Sequence, residues 1–289
     1  MNKLVIRKVL SAIVIVLVVI AALYVYLVAE PSTMSEEVET AGEITEEIAE
    51  EVETANDIDP MMIPLCKGGK DHERRNYHGY SICYRESYEQ AEWAAECLTR
   101  EKLQRKVNRS ENFRPDEGIT TGSADTSDYY GSGYDRGHLV PAGDMGWDPE
   151  AMNDTFLMSN MSPQNHKFNS GIWNDLEMQV RNWAKKFGTI YIVTGPVLES
   201  GKKYKVIGKN KVAVPELYYK VLLAHTDSGE WQAIAFVIPN EGSDDSFMDY
   251  TVSIDDVESL TGLDFFAPLE DKIENKVESE YSLKFWKIR

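Results

Sequence analysis

The sequence predicts an α+β domain with a mixed or antiparallel central sheet flanked by helices. Three observations carry this. Short apolar or β-branched runs bounded by turn residues recur along residues 61–289. Two of them, 216–224 and 232–238, flank Thr226-Asp-Ser-Gly-Glu230 and read as a hairpin. One long helical pattern stands among them, with Ile172, Leu176, Val180, Trp183 and Phe187 on one face. In chain order, residues 80–85, 93–98, 155–160 and 189–193 read as strands. Asn169 can cap the long helix and Gly188 can close it. A final helix starts at the cap Ser253 and ends by Gly262.

The chain has 289 residues and a net charge of −18, unevenly placed. Its 43% hydrophobic and 10% aromatic content excludes a mostly disordered chain. Residues 1–8, with Lys3, Arg7 and Lys8, precede a charge-free apolar run over 9–29. At about 1.5 Å per residue this run suffices for a transmembrane anchor, and the flanking cations place a short N-terminus in the cytoplasm. A cleaved signal sequence is the alternative, and both readings export the remainder. The expected location is therefore membrane-anchored with the domain on the extracytoplasmic side, or secreted after cleavage.

Residues 30–60 carry twelve acids and no Lys or Arg. Self-repulsion makes them an extended linker or stalk. The repeat Glu-Glu-Val-Glu-Thr-Ala gives only a weak heptad pattern. Residues 61–289 retain −9, so the acidic total counts less against a nucleic-acid partner than it first does. Cys66, Cys83 and Cys97 allow one disulfide whose pairing the sequence leaves open.

Candidate chemistry falls in Tyr134–Asp144, YDRGHLVPAGD, and in 160–177, NMSPQNHKFNSGIWNDLE. Asn169, Trp173, Glu177 and Arg181 recur every fourth residue, which aligns them along one helix face. An amide, a carboxylate and a guanidinium on one face suit a metal-phosphate site. A capped helix with an ordinary Glu-Arg pair is the simpler reading of the helix alone.

Asp135-Arg136-Gly137-His138, with Asn160, Pro163-Gln164, Asn169, Trp173 and Leu176-Glu177 at this spacing, resembles the DNA/RNA non-specific endonucleases. These are ββα-metal (His-Me finger) nucleases, endonuclease G-like and sugar-non-specific. Asn108-Arg109, Phe113-Arg114-Pro115-Asp116, Tyr218-Tyr219-Lys220 and Ile238-Pro239-Asn240 support the resemblance over residues 61–289.

The resemblance implies that one Mg²⁺ or Mn²⁺ per site assists hydrolysis of DNA or RNA with little sequence preference. Products would carry 5′-phosphate and 3′-hydroxyl ends. By the same resemblance His138 is the general base, its ordinary pKa of about 6.5 suiting neutral pH. Asn169 is the metal ligand, Glu177 orients metal-bound water, and Arg109 stabilises the charged transition state. Asp135, Arg136, Gln164 and Arg181 contact phosphate or hold the site in shape. Many relatives are homodimers. A non-catalytic exported binding or adhesion module on the same fold is the alternative, and a nuclease assay with and without EDTA separates the two.

Overall fold

The computed structural model describes residues 62–226 and 228–287. The expected cytoplasmic N-terminus, membrane span and acidic stalk over residues 1–60 fall outside them. Seven strands form one antiparallel sheet: β1 (His72–Tyr77), β2 (Tyr80–Arg85), β3 (Gln90–Thr99), β6 (Gly188–Pro196), β9 (Leu217–Thr226), β10 (Trp231–Pro239) and β11 (Thr251–Val252). They lie side by side in that order. Between β3 and β6 the chain leaves the sheet to make a two-stranded ribbon, β4 (Asp135–His138) with β5 (Met161–Gln164). A second small ribbon pairs β7 (Val206–Ile207) with β8 (Val212–Ala213).

Both faces of the main sheet are covered, which is why its strands read as nearly continuous apolar runs. Alternate residues separate cleanly. Tyr218, Leu222, Ile234, Phe236 and Ile238 face one core, while Tyr219, Val221, Leu223, Ala233 and Ala235 face the other. At Cys83/Tyr84 the register against β3 shifts and leaves Glu92 as the extra residue of a bulge. The first core is closed by helix α2 (Asn174–Phe187), through Leu176, Val180, Trp183 and Phe187. The second is closed by α3 (Ile254–Thr261) and α4 (Asp271–Ser279), through Ile254, Val257 and Val277. A short helix α1 (Pro149–Asp154) lies on the loop between β4 and β5.

Several sequence expectations need adjustment. Residues 155–160 form a turn and one 3-10 turn rather than a strand, and pairing with β4 begins only at Met161. The buried Asn160 side chain makes the turn: its amide donates to the carbonyls of Val140 and Thr155 and its oxygen accepts from the Val140 N–H. Helical structure begins before Asn169. Asn165 caps the turn His166–Phe168, and Asn169–Trp173 forms a π-helical segment broken at Gly171 before α2 starts. Gly188 does close α2, at φ 99°, a conformation open to glycine. Ser253 and Gly262 bound α3 as the capping pattern predicts. A further helix, α4, follows it. Cys66 and Cys83 form the disulfide, and the buried Cys97 stays outside it.

Candidate active site

The β4–β5 ribbon and the helical run after it carry the candidate residues. The ribbon is anchored to the main sheet by the buried Ser162, whose hydroxyl donates to Gln90 on β3 and bonds the Tyr218 hydroxyl on β9. Tyr218 also donates to the Pro163 carbonyl at 3.0 Å. Within the ribbon Gln164 lies against Gly137. A Cβ on Gly137 would stand 2.1 Å from the Gln164 amide, so only glycine lets the two strands meet here. Gln164 is thus a packing element under the strand that carries His138, and it is fully buried.

His138 sits between two aromatic rings. Its ring centroid is 5.0 Å from Phe156 and 5.8 Å from Phe113, both edge-on. Each phenyl carries a guanidinium on its face: Arg136 at 4.1 Å from the Phe113 centroid and Arg109 at 5.1 Å from that of Phe156. Such cation–π stacking orients a guanidinium without occupying its donors. Among the described residues neither arginine is bonded to a carboxylate. Burial first, and then the fields of Arg109 and Arg136, push the His138 imidazole down to about 3. The expected value near 6.5 is therefore corrected: the ring is neutral throughout the neutral range, because its surroundings are apolar and positive. Its Nε2 is covered and makes no hydrogen bond among the described residues.

Asn169 lies on the same side as Arg136. Both line a hollow of about 290 Å³ with Phe113, Tyr129, Tyr130, Tyr134 and Asp135. The Asp135 carboxylate accepts from Asn169 Nδ2 at 2.9 Å and bonds the exposed His166 Nδ1 at 2.9 Å. Asp135 therefore fixes the amide plane, and Oδ1 has no hydrogen-bond partner among the described residues. A neutral hard oxygen, held by a carboxylate behind it, fits the sparse protein ligation that Mg²⁺ and Mn²⁺ accept when they keep several waters.

Glu177 belongs to a deeper charged group. Burial pushes its carboxyl up to about 7; Lys220, Arg181 and Arg109 pull it down, and Asp144 pushes it up. Lys220 is buried on β9, donating to the Thr194 hydroxyl and lying 5.0 Å over the Trp173 ring. Glu96 on β3 is 2% exposed and neither carboxylate oxygen has a hydrogen-bond partner. Its carboxyl is held well above the usual range, by burial first and then by Asp144. Arg181 is committed: it donates to the buried Asp144 at 2.7 Å, which separates it from Arg109 and Arg136.

The ribbon and helix thus bring His138, Arg136, Asp135 and Asn169 into one neighbourhood, with Arg109 beside His138, while Arg181 is held by Asp144. Phe113 and Phe156, which set the polarity around His138, and the Lys220–Glu96 group were not legible as site elements. A lysine inside the apolar run 217–224 was the available signal for the second. Lys220→Met should destabilise the protein by about 3 kcal/mol, because it strands buried carboxylates. Urea unfolding at pH 7 measures this, and Glu96→Gln added to Lys220→Met should recover part of the loss.

Two antiparallel strands and a helix, presenting an imidazole from the first strand and a carboxamide from the helical run, define the ββα class. The chain belongs to the DNA/RNA non-specific endonuclease family, whose model matches residues 59–272. The mitochondrial nuclease EXOG of Xenopus laevis is 39% identical over 213 residues, covering 68% of this chain and 59% of that protein. Human mitochondrial endonuclease G is 36% identical, covering 66% of this chain and 68% of that one. A solved complex of EndoG with EndoGI superposes with a TM-score of 0.65 at 32% identity, over 71% of this chain and 92% of the other. The chain spans about three fifths of the length of the EXOG relatives it matches.

These relatives overturn the expected membrane-anchored, extracytoplasmic location, since they are mitochondrial proteins by name. Among the described residues no helix is long and apolar enough to cross a membrane. Hydropathy and flanking charge orient an apolar run relative to a membrane, but they do not specify which membrane it addresses.

Proposed function

We propose that this chain is a metal-dependent nuclease that hydrolyses phosphodiester bonds of DNA or RNA with little sequence preference. The observation that carries the reading is the Asn169 amide at a hollow that Arg136 also lines, with the neutral His138 and Arg109 beside Arg136 and neither arginine held by a carboxylate among the described residues. Such a surface takes a phosphate and an attacking water.

In this reading Arg109 and Arg136 bind phosphate oxygens. Their aromatic supports pre-orient them, so little is lost on binding. His138 accepts the proton of the attacking water at Nε2, which is covered in this structure and is reached when the side chains over it shift on substrate binding; the ring is already neutral and needs no deprotonation first. Phosphate arriving between it and the arginines offsets their field and raises its basicity as the reaction needs it. Asn169 would hold the divalent cation, Mg²⁺ or Mn²⁺, which supplies charge neutralisation at the scissile phosphate when bound. Glu177 holds solvent near that position. Asp135 keeps the Asn169 amide in one orientation, and Gln164 and the Arg181–Asp144 pair keep strand and helix in place. The water oxygen bonds phosphorus as the P–O3′ bond breaks, and the departing 3′-oxygen takes a proton from solvent, which leaves 5′-phosphate and 3′-hydroxyl ends. Contacts confined to phosphates read no bases, which accounts for the lack of sequence preference.

The test is degradation of plasmid DNA and of labelled RNA by the full chain with Mg²⁺, with Mn²⁺ and with EDTA. Cleavage of at least one substrate with a divalent ion and none in EDTA is expected. No cleavage under any of these conditions overturns the reading.

A further inference from the structure

A second group of acidic side chains lies on the opposite face of the sheet from α2. Asp255 and Glu258 on α3, Asp264 in the connection after it, and Glu274 and Glu278 on α4 point toward one another. The ligand oxygens of Asp255, Glu258 and Glu278 lie within 4.8 Å of one another, and so do those of Asp264, Glu274 and Glu278. Glu278 is common to both trios.

Proximity of surface acids alone says little. Glu278 is different: it is 9% exposed, and its Oε1 is covered and has no hydrogen-bond partner among the described residues. An unsatisfied buried carboxylate oxygen is costly, and four further carboxylates around it add repulsion. Among the described residues no Lys or Arg forms an ion pair with any of the five. Glu258 has a local partner, accepting from the Phe265 N–H at 2.8 Å. The helices cannot swing apart to relieve the repulsion cheaply, because Val257 and Val277 fasten both to the sheet core.

We infer that Glu278, with Asp255 and Glu258 or Asp264 and Glu274, binds a Ca²⁺ ion that ties α3 to α4. The chemistry is that of a hard cation with oxygen ligands only. Oxygens gathered this closely can share one coordination shell, in which Ca²⁺ holds each ligand at about 2.4 Å. Irregular multi-carboxylate sets suit Ca²⁺, whereas Mg²⁺ demands a closer octahedron. The exposed Asp255 and Asp264 leave a path for the ion from solvent, and Glu278 forms the floor. The site is structural and separate from Asn169. Glu274 and Glu278 lie beyond residue 272, where the match to the family model ends.

The test is thermal unfolding of the EDTA-treated full chain with added Ca²⁺ or Mg²⁺, in the wild type, in Asn169→Ala and in Glu278→Gln. Ca²⁺ should raise Tm by about 5 °C at a hundredfold excess over its Kd, in the wild type and in Asn169→Ala alike. The shift should vanish in Glu278→Gln, which should itself melt no lower than the wild type in EDTA, since repulsion is relieved. No Ca²⁺ shift in Asn169→Ala, or an undiminished one in Glu278→Gln, overturns the site. A larger shift with Mg²⁺ than with Ca²⁺ overturns the choice of ion. Should Glu278→Gln fail to fold, Asp255→Asn combined with Asp264→Asn must raise the Ca²⁺ midpoint at least tenfold, and an unchanged midpoint counts against the site.

Discussion

His138→Ala is expected to lower Mg²⁺-dependent nuclease turnover by about 10²- to 10⁴-fold, the range set by loss of a positioned general base. Global unfolding at pH 7 should change far less. The imidazole is held by ring contacts with Phe113 and Phe156, and its covered Nε2 is unsatisfied, so truncation removes a polar cost along with some packing. The variant has a second signature. In the folded wild type the imidazole is pushed down to about 3, whereas in the unfolded chain it titrates near 6.5. Between those values the unfolded chain binds a proton that the folded one refuses. Stability associated with His138 is therefore present above about pH 6.5 and is lost as pH falls toward 3. Urea unfolding at pH 7 and pH 4.5 should show a smaller acid loss in His138→Ala than in the wild type. Full nuclease activity in the variant would remove His138 from the chemistry, and an unchanged pH dependence would remove it from the buried environment described.

Asn169→Ala is expected to shift the Mg²⁺ midpoint of activity upward by 10-fold or more, since it deletes an amide oxygen that lines the hollow and that Asp135 holds in one orientation. Asn169→Asp should not rescue it fully, although a carboxylate is ordinarily the better ligand. Nδ2 of Asn169 donates to Asp135 at 2.9 Å, and an aspartate would set two carboxylates against each other there. Asn169→Asp combined with Asp135→Asn restores a donor and should recover affinity that neither single variant shows. A metal titration of each form measures this. A midpoint in Asn169→Ala equal to that of the wild type would exclude Asn169 as a ligand.

Local sequence was a good guide where one element explains itself. The hairpin of β9 and β10 follows from two apolar runs and the turn between them. The ends of α3 follow from Ser253 and Gly262, which supply the cap bond and the left-handed residue. It misled where tertiary partners decide. Phe156, Leu157 and Met158 look like strand residues, yet Asn160 bonds them into a turn through groups twenty and five positions away. Asn165 and Asn169 are equivalent as helix caps by residue type, and the structure uses the first as the cap and presents the second to the hollow. Helix α4 was missed because it offers only Ile273 and Val277 as an apolar face, too little to read without the sheet it covers.

The linear order of residues determined the family: DRGH followed at fixed spacing by Asn169 and Glu177 is a property of the chain itself. It also located the acidic excess, most of it in residues 30–60. Only the tertiary structure decided which charges are available. Arg181 is paired with Asp144, thirty-seven residues away, whereas Arg109 and Arg136 rest on phenyl rings with no carboxylate partner among the described residues. Only it set the His138 imidazole far below its ordinary value, through phenyl rings from separate loops and two guanidinium groups. The reason is physical: a residue's type is local, but its solvation and its field come from neighbours that only folding brings within a few ångströms.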